Sequence, residues 1–248
     1  MKDMEQNIQG FRPIYIAAMA FGLAFVILVG IWTGGYLGGF AWRSTPELQF
    51  NWHPLLMSIG MIFLYSNSML IYRSYRSCCK RTLKIAHSAI HGLIFLLTIF
   101  ALIAVFDSHN LHMKDGQSDP IPNMYSLHSW IGLTAVILFA CQLLSGFVTY
   151  LYPGLTSNIK TTYMPVHTFF GIAIFICVVV AALLGLSEKG FFVMKSNYAD
   201  LPAQGVLLNS IGICLIIFTG LTTYLVTEKS YKRIPLPEDE FLLTSHDK

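Results

Sequence analysis

Six apolar runs, at residues 13–37, 50–72, 82–106, 123–151, 163–187 and 203–227, alternate with short polar segments along this chain. Each run is long enough to cross a hydrocarbon core of about 30 Å as a helix. The connections are short, so consecutive helices are expected to be antiparallel neighbours. The pattern predicts an all-α integral membrane protein of six helices filling residues 13–227. Segments 1–12 and 228–248 lie outside it, and no separate soluble domain is indicated.

Composition agrees. Of 248 residues 54% are hydrophobic and 12% charged, against roughly 25% charged in a soluble domain. A net charge of +3, with its basic residues near the run edges, fits membrane orientation better than nucleic-acid binding. Arg73, Arg76, Lys80, Arg81 and Lys84 sit between or at the edges of runs two and three. Lys2, Arg12, Lys160, Lys229, Lys232, Arg233 and Lys248 fall on the same side, while Arg43, Lys114, Lys189 and Lys195 fall on the other. This asymmetry puts both termini in the cytosol. Trp32, Trp42, Trp52 and Trp130 map to the non-cytosolic edge, where an aromatic belt is expected. Cys141, Cys177 and Cys214 are inside runs and Cys78–Cys79 in the basic segment, which offers no disulfide framework.

The candidate chemistry is histidine. His53 and His128 each lie near the start of a run entering from the non-cytosolic side, and His87 and His167 near the start of a run entering from the cytosol. They form two depth-matched pairs, on the order of 20 Å apart for helices rising 1.5 Å per residue. An ionisable group at such depth needs a partner. Neutral imidazole is a good iron ligand, and two imidazoles on facing helices suit both axial positions of a haem. The residues alone leave open interfacial hydrogen bonding, or zinc or proton transport. They also leave open His91, one turn after His87 on the same face. Gly132 and Gly171 follow His128 and His167 by four residues, and Gly60 follows His53 by seven. These glycines either admit a flat macrocycle or simply allow close helix packing.

Several strings narrow the choice: Phe50-Asn-Trp-His-Pro54, Tyr72-Arg73, Lys84-Ile-Ala-His87 with His91, Ala104-Val-Phe-Asp107, Tyr125-Ser-Leu-His-Ser-Trp130, Pro165 with His167, Gly185-Leu-Ser-Glu188 and Asn209. Over about residues 38–209 the chain resembles the cytochrome b561 family of ascorbate-dependent transmembrane electron carriers. The resemblance implies an inner four-helix bundle with two b-type haems, one between His53 and His128 and one between His87 and His167. It implies cytosolic ascorbate beside Arg73, Lys80, Lys84 and Lys160, where Lys160 replaces an arginine and loses its fork geometry. It implies a lumenal acceptor, ferric iron or monodehydroascorbate, near His109, in the loop after run three, and Tyr125. It also implies a homodimer. The loop at 107–122 looks longer than usual, adding His112, Asp115 and Asp119, and reads as a solvated loop.

The C-terminal tail carries Glu238-Asp-Glu-Phe-Leu242-Leu243, which resembles an acidic dileucine sorting signal, and Tyr231-Lys-Arg-Ile234, which resembles a tyrosine-based one. Together they suggest a late-endosomal or lysosomal membrane, with secretory vesicle or plasma membrane as alternatives. The rival function, a non-redox metal or proton transporter, needs ionisable groups along a path at mid-membrane, and the runs hold few there.

Overall fold

Each apolar run becomes a helix because, in hydrocarbon, its backbone groups can be satisfied only within the segment. The computed structural model describes residues 8–235. It contains six helices long and apolar enough to cross a membrane. We label them α1 (Phe11–Tyr36), α2 (Pro46–Ser74), α3 (Lys80–Asn110), α4 (Leu127–Tyr150), α5 (Ser157–Met194) and α6 (Ala203–Thr227). The last five residues of α1, Trp32–Tyr36, are π-helical, as is Ser58–Leu64 within α2. The wider turns in α2 change the phase between the half that carries His53 and the half that ends at Ser74, a feature that gathers at functional sites.

The run at 203–227 coincides with α6, whereas α3 and α5 overrun their runs at both ends. Hydropathy marks where lipid begins, not where helical hydrogen bonding stops. One consequence is a correction: His109 stands in the last turn of α3, not in a loop. The segment after it is solvated as expected, residues 113–120 being exposed, but it folds into a small hairpin. Met113–Lys114 (β1) pairs antiparallel with Gln117–Ser118 (β2). Asp115 and Gly116 between them both have positive φ, as a two-residue hairpin turn of this chemistry requires.

The most extensive packing joins α4 to α5, α1 to α6 and α2 to α3. The histidine-bearing helices α2–α5 form one group, and the α1–α6 pair packs against α2 and α5. Phe25, Trp32, Tyr65, Phe139, Phe175 and Phe218 are fully buried between helices. Ser66 of α2 meets Thr222 of α6 at 3.2 Å, a small polar contact of the kind that ties membrane helices. Outward faces remain apolar, with Leu23, Ile27, Phe169 and Ile216 exposed to what would be lipid.

The two ends of the bundle differ in chemistry as the basic residues foretold. At one end Arg76 donates to the Tyr231 carbonyl (2.6 Å), and Arg233 donates to the carbonyls of Arg76 (3.1 Å) and Cys78 (3.0 Å). The Tyr231 hydroxyl donates to the Gln9 carbonyl (3.1 Å). The N-terminal segment, the α2–α3 connection and the segment after α6 therefore share one face. At the other end Arg43 pairs with Asp107 at 2.8 Å, and Asn51 donates to the carbonyls of Leu37 and Gly39. Trp42 and Trp130 are exposed there, as a belt requires, but Trp32 is buried in the bundle and Trp52 donates to the Ala41 carbonyl.

The tyrosine-based sorting reading needs a second correction. Tyr231 is only 4% exposed, with its ring edge-on to Phe11 and Tyr224. An adaptor reading a tyrosine ring needs that ring free, and here it is part of the fold. The dileucine string at 238–243, like Lys2 and Lys248, lies outside the described residues.

Candidate functional site

Four histidines near the ends of four helices meet as two pairs. His53 of α2 faces His128 of α4, with ring centroids 6.1 Å apart. His87 of α3 faces His167 of α5 at 6.3 Å. A metal–imidazole bond is about 2 Å and the ring centre lies about 1 Å beyond the bonded nitrogen, so one ion shared by two rings puts the centroids about 6 Å apart. Both pairs match that spacing.

Helix register gives their separation. His53 Nδ1 lies 3.3 Å from the carbonyl of Ala101, fourteen residues beyond His87 on the same helix. His128 Nδ1 lies 2.8 Å from the carbonyl of Ala181, fourteen beyond His167. Fourteen residues of helix rise about 21 Å, so the two pairs are set across the bilayer as the depth argument anticipates.

These contacts also fix the chemistry of the rings. A carbonyl oxygen only accepts, so Nδ1 of His53 and of His128 must carry the proton and donate. In a neutral ring this leaves the Nε2 lone pair for a metal, and the carbonyl contact raises ligand basicity. His87 is held likewise: its Nδ1 donates to the Ser68 carbonyl at 3.0 Å, and the Ser68 hydroxyl is 3.0 Å from the same nitrogen. His167 is the exception, since its buried Nδ1 has no hydrogen-bond partner.

Each pair supplies two donors. No group of three or more His, Cys, Asp or Glu suited to a metal exists among the described residues. Two imidazoles alone leave most of a metal's coordination sphere to something else, and a planar tetradentate macrocycle fits that demand. The surroundings suit one at the His53–His128 pair, where a cavity of about 400 Å³ is lined by apolar side chains including Met61, Leu133, Val136 and Ala182. His91 is not the facing ligand. It sits one turn deeper, buried, edge-on to His87 at 4.5 Å and to Tyr65 at 5.0 Å. The glycines singled out by sequence are not pressed by histidine. A Cβ at Gly60 or Gly132 meets Leu97 or Ala181 at ordinary distances, and one at Gly171 meets Gln142.

Around the His87–His167 pair, the Lys84 side chain and the Lys160 backbone converge on one tyrosine. Lys84 Nζ donates to the Tyr150 carbonyl (3.5 Å), and the Tyr150 hydroxyl donates to the Lys160 carbonyl (3.1 Å). The Tyr150 ring packs on Tyr163 and edge-on to His167 at 5.5 Å. Lys80 is one turn before Lys84 on α3. Arg73 is drawn elsewhere, donating to the Glu228 carbonyl at the end of α6, a favourable place for a cation. Sequence reasoning missed Tyr150 and Tyr163, whose position beside His167 depends on the α4–α5 connection.

At the other end of the bundle, His109 and Tyr125 line the same cavity as His53 and His128. The Asn123 side chain donates to Asn110 Oδ1 at 2.8 Å, which turns its own Oδ1 toward His109 Nδ1 at 3.0 Å. That contact orients the ring with Nε2 as its acceptor. Tyr125 is 60% exposed and Lys189 lies over the Phe50 ring at 3.9 Å. His112 lines the same cavity, with its ring against Glu47 at 3.4 Å.

Known proteins resemble this chain over most of its length. Residues 52–193 match the model of a family described as eukaryotic cytochrome b561. The chain is 42% identical over 236 residues to the transmembrane ascorbate-dependent reductase CYB561 of Sus scrofa, covering 95% of this chain and 90% of that one. The human protein of the same name is 41% identical over 231 residues, covering 93% and 88%. The plasma membrane ascorbate-dependent reductase CYBRD1 of Xenopus tropicalis is 36% identical over 231 residues, covering 92% and 79%.

Proposed function

This chain belongs to the cytochrome b561 family, and from that premise we propose that it is a transmembrane oxidoreductase moving single electrons from cytosolic ascorbate to a lumenal acceptor. The observation that carries the reading is the pair of facing imidazoles at each of two depths. His53 with His128, and His87 with His167, would each hold one haem b. When bound, haem supplies a one-electron centre that polypeptide lacks. Held by two imidazoles, each haem would keep no open site for a further ligand, which favours electron transfer over ligand chemistry.

The chain's own residues do the rest. Backbone carbonyls on neighbouring helices hold the imidazoles of His53, His128 and His87 in the liganding tautomer, while the His167 ring is held by packing against Tyr150 and Tyr163. Ascorbate is a monoanion at neutral pH, so Lys84, Lys160 and Lys80 draw it toward the Tyr150–His167 edge, with Arg73 adding to the field from the end of α6. At the other face His109 Nε2 and the Tyr125 hydroxyl are the polar groups that meet the acceptor. Either monodehydroascorbate or ferric iron suits them. We further propose that the tail signal at 238–243 directs the protein to a late-endosomal or lysosomal membrane, and that the protein is a homodimer in the lipid bilayer.

The test is a visible spectrum of purified protein before and after ascorbate. A b-type signal that sharpens on reduction is expected. Its absence, or survival of both haems when His53 and His87 are replaced separately, would refute the proposal. Vesicles loaded with ascorbate should reduce an external ferric chelate when the basic face is inside, and much more slowly when inverted.

A further inference from the structure

Helices α4 and α5 carry the same spacing in opposite directions. On α4 the order is His128, Gly132, Gly146, and on α5 it is His167, Gly171, Gly185. In both, the second glycine follows the histidine by eighteen residues, which is about five full turns. Histidine and glycine therefore lie on one face at opposite ends of the helix. The helices pack antiparallel and extensively, so each histidine comes to rest against the glycine of the other. A Cβ at Gly185 would be 2.7 Å from Cε1 and 2.8 Å from Nδ1 of His128, and one at Gly146 would be 2.9 Å from Cε1 of His167. At all three distances something would have to shift.

We propose that Gly185 and Gly146 are positioning residues, one for each haem site, and that the α4–α5 pair is a reciprocal cradle in which each helix seats the other's ligand. This rests on the bis-histidine haem reading above. The cradle on α5 is one turn of helix: the Ala181 carbonyl holds His128 Nδ1 at 2.8 Å, and Gly185, four residues on, leaves room for the ring. The matching turn on α4 runs from Gln142 to Gly146. There the amide of Gln142 donates to the His167 backbone carbonyl at 2.6 Å, and His167 Nδ1 has no partner. The two halves are alike in shape but not in restraint.

That difference sets the size of the effects. His128 is pinned, so a methyl group at 185 must break its Nδ1 contact or push α5 away. His167 is pinned only through its backbone, so its ring has more freedom to turn from a methyl at 146. Gly185→Ala is expected to lose the lumenal haem, lowering the haem-to-protein ratio by about half while the cytosolic signal persists. Gly146→Ala is expected to disturb only the cytosolic site, as a shifted midpoint or altered low-spin EPR signal, with less loss of haem. Sites are assigned with His53→Ala and His87→Ala. Gly220, with nothing near its Cβ position, supplies the control Gly220→Ala, expected to match wild type.

The persisting signal in each variant shows that the protein has folded. Gly185→Ala with both signals unchanged overturns the proposal, as does loss of both sites together, because the cradle acts on one histidine at a time. Wild-type protein without haem refutes the haem reading instead, and the two failures are thus told apart.

Discussion

The lumenal and cytosolic pairs share one design but are supported differently. At the lumenal pair both rings are tied through Nδ1 to a carbonyl on a neighbouring helix, and an apolar cavity opens beside them. At the cytosolic pair one ring is tied twice through Ser68 and the other not at all. Aromatic edges from Tyr150, Tyr163, Tyr72 and His91 crowd in instead. The lesson is that ligand orientation can come from a hydrogen bond or from packing. Only the first gives a fixed tautomer and a uniform push on the metal.

The strongest way to break the comparison is to remove a ligand from each half. His53→Ala and His87→Ala should each abolish one haem signal and leave the other. Transmembrane electron transfer should fall by more than about 100-fold in both, beyond the roughly 10- to 100-fold carried by groups that merely support a metal ligand. Measured haem content and vesicle rates decide it. Loss of both signals from either change would mean the sites are not independent.

Next comes the charge that distinguishes the faces. Lys84→Met and Lys160→Met should each raise the apparent KM for ascorbate by roughly 5- to 10-fold, with a weaker dependence of rate on salt, because an anion is drawn by long-range field as well as contact. Intake should recover in Lys160→Arg. Arg73→Met should cost less in KM and more in stability, since its guanidinium caps α6. Equal KM effects from all three would place Arg73 at the substrate after all.

Much of this was visible in the sequence, for identifiable reasons. Membrane depth is nearly one-dimensional, so apolar run edges and lysine counts suffice to pair His53 with His128 and His87 with His167. What depends on contact across helices was hidden. Gly146 and Gly185 stand eighteen residues from the histidines on their own helices, and each matters only to the histidine of the other. The spacing repeated on two neighbouring runs was the available signal. His109 was misplaced because helix outlasts hydrophobicity at the end of α3, and the Asp115-Gly116 hairpin was missed although its dipeptide is a recognised turn former. Tyr231 reads as an adaptor signal in a cytosolic tail, and only packing on Phe11 and Tyr224 shows it occupied.

A smaller effect separates the lumenal exit from the cytosolic intake. Asn123→Ala removes the acceptor that orients His109 without touching either histidine pair. Lumenal acceptor reduction should slow by about 3- to 10-fold, the cost of one neutral hydrogen bond near 1 kcal/mol, with haem content and ascorbate-side kinetics unchanged. Stopped-flow reduction by ascorbate followed by reoxidation with acceptor separates the two steps. Slowing of the first step would contradict the assignment.

The smallest effect tests whether the hydrogen-bonded ring at the cytosolic pair is tuned as well as held. Ser68 is fully buried, and its hydroxyl and its carbonyl both lie 3.0 Å from His87 Nδ1. Ser68→Ala deletes the hydroxyl and keeps the carbonyl, so His87 retains its tautomer and its place. What is lost is part of the electron density that the acceptors lend to the ring through Nδ1–H. A less basic imidazole stabilises the oxidised metal less, so the cytosolic midpoint should rise. A neutral hydrogen bond is worth about 1 kcal/mol, most of it common to both redox states, and tenfold in a one-electron equilibrium is 59 mV. The shift should therefore be on the order of 20–40 mV, with haem content intact and the lumenal midpoint unmoved. A fall in potential, or an equal shift at both sites, would show that Ser68 acts on the bundle as a whole rather than on His87.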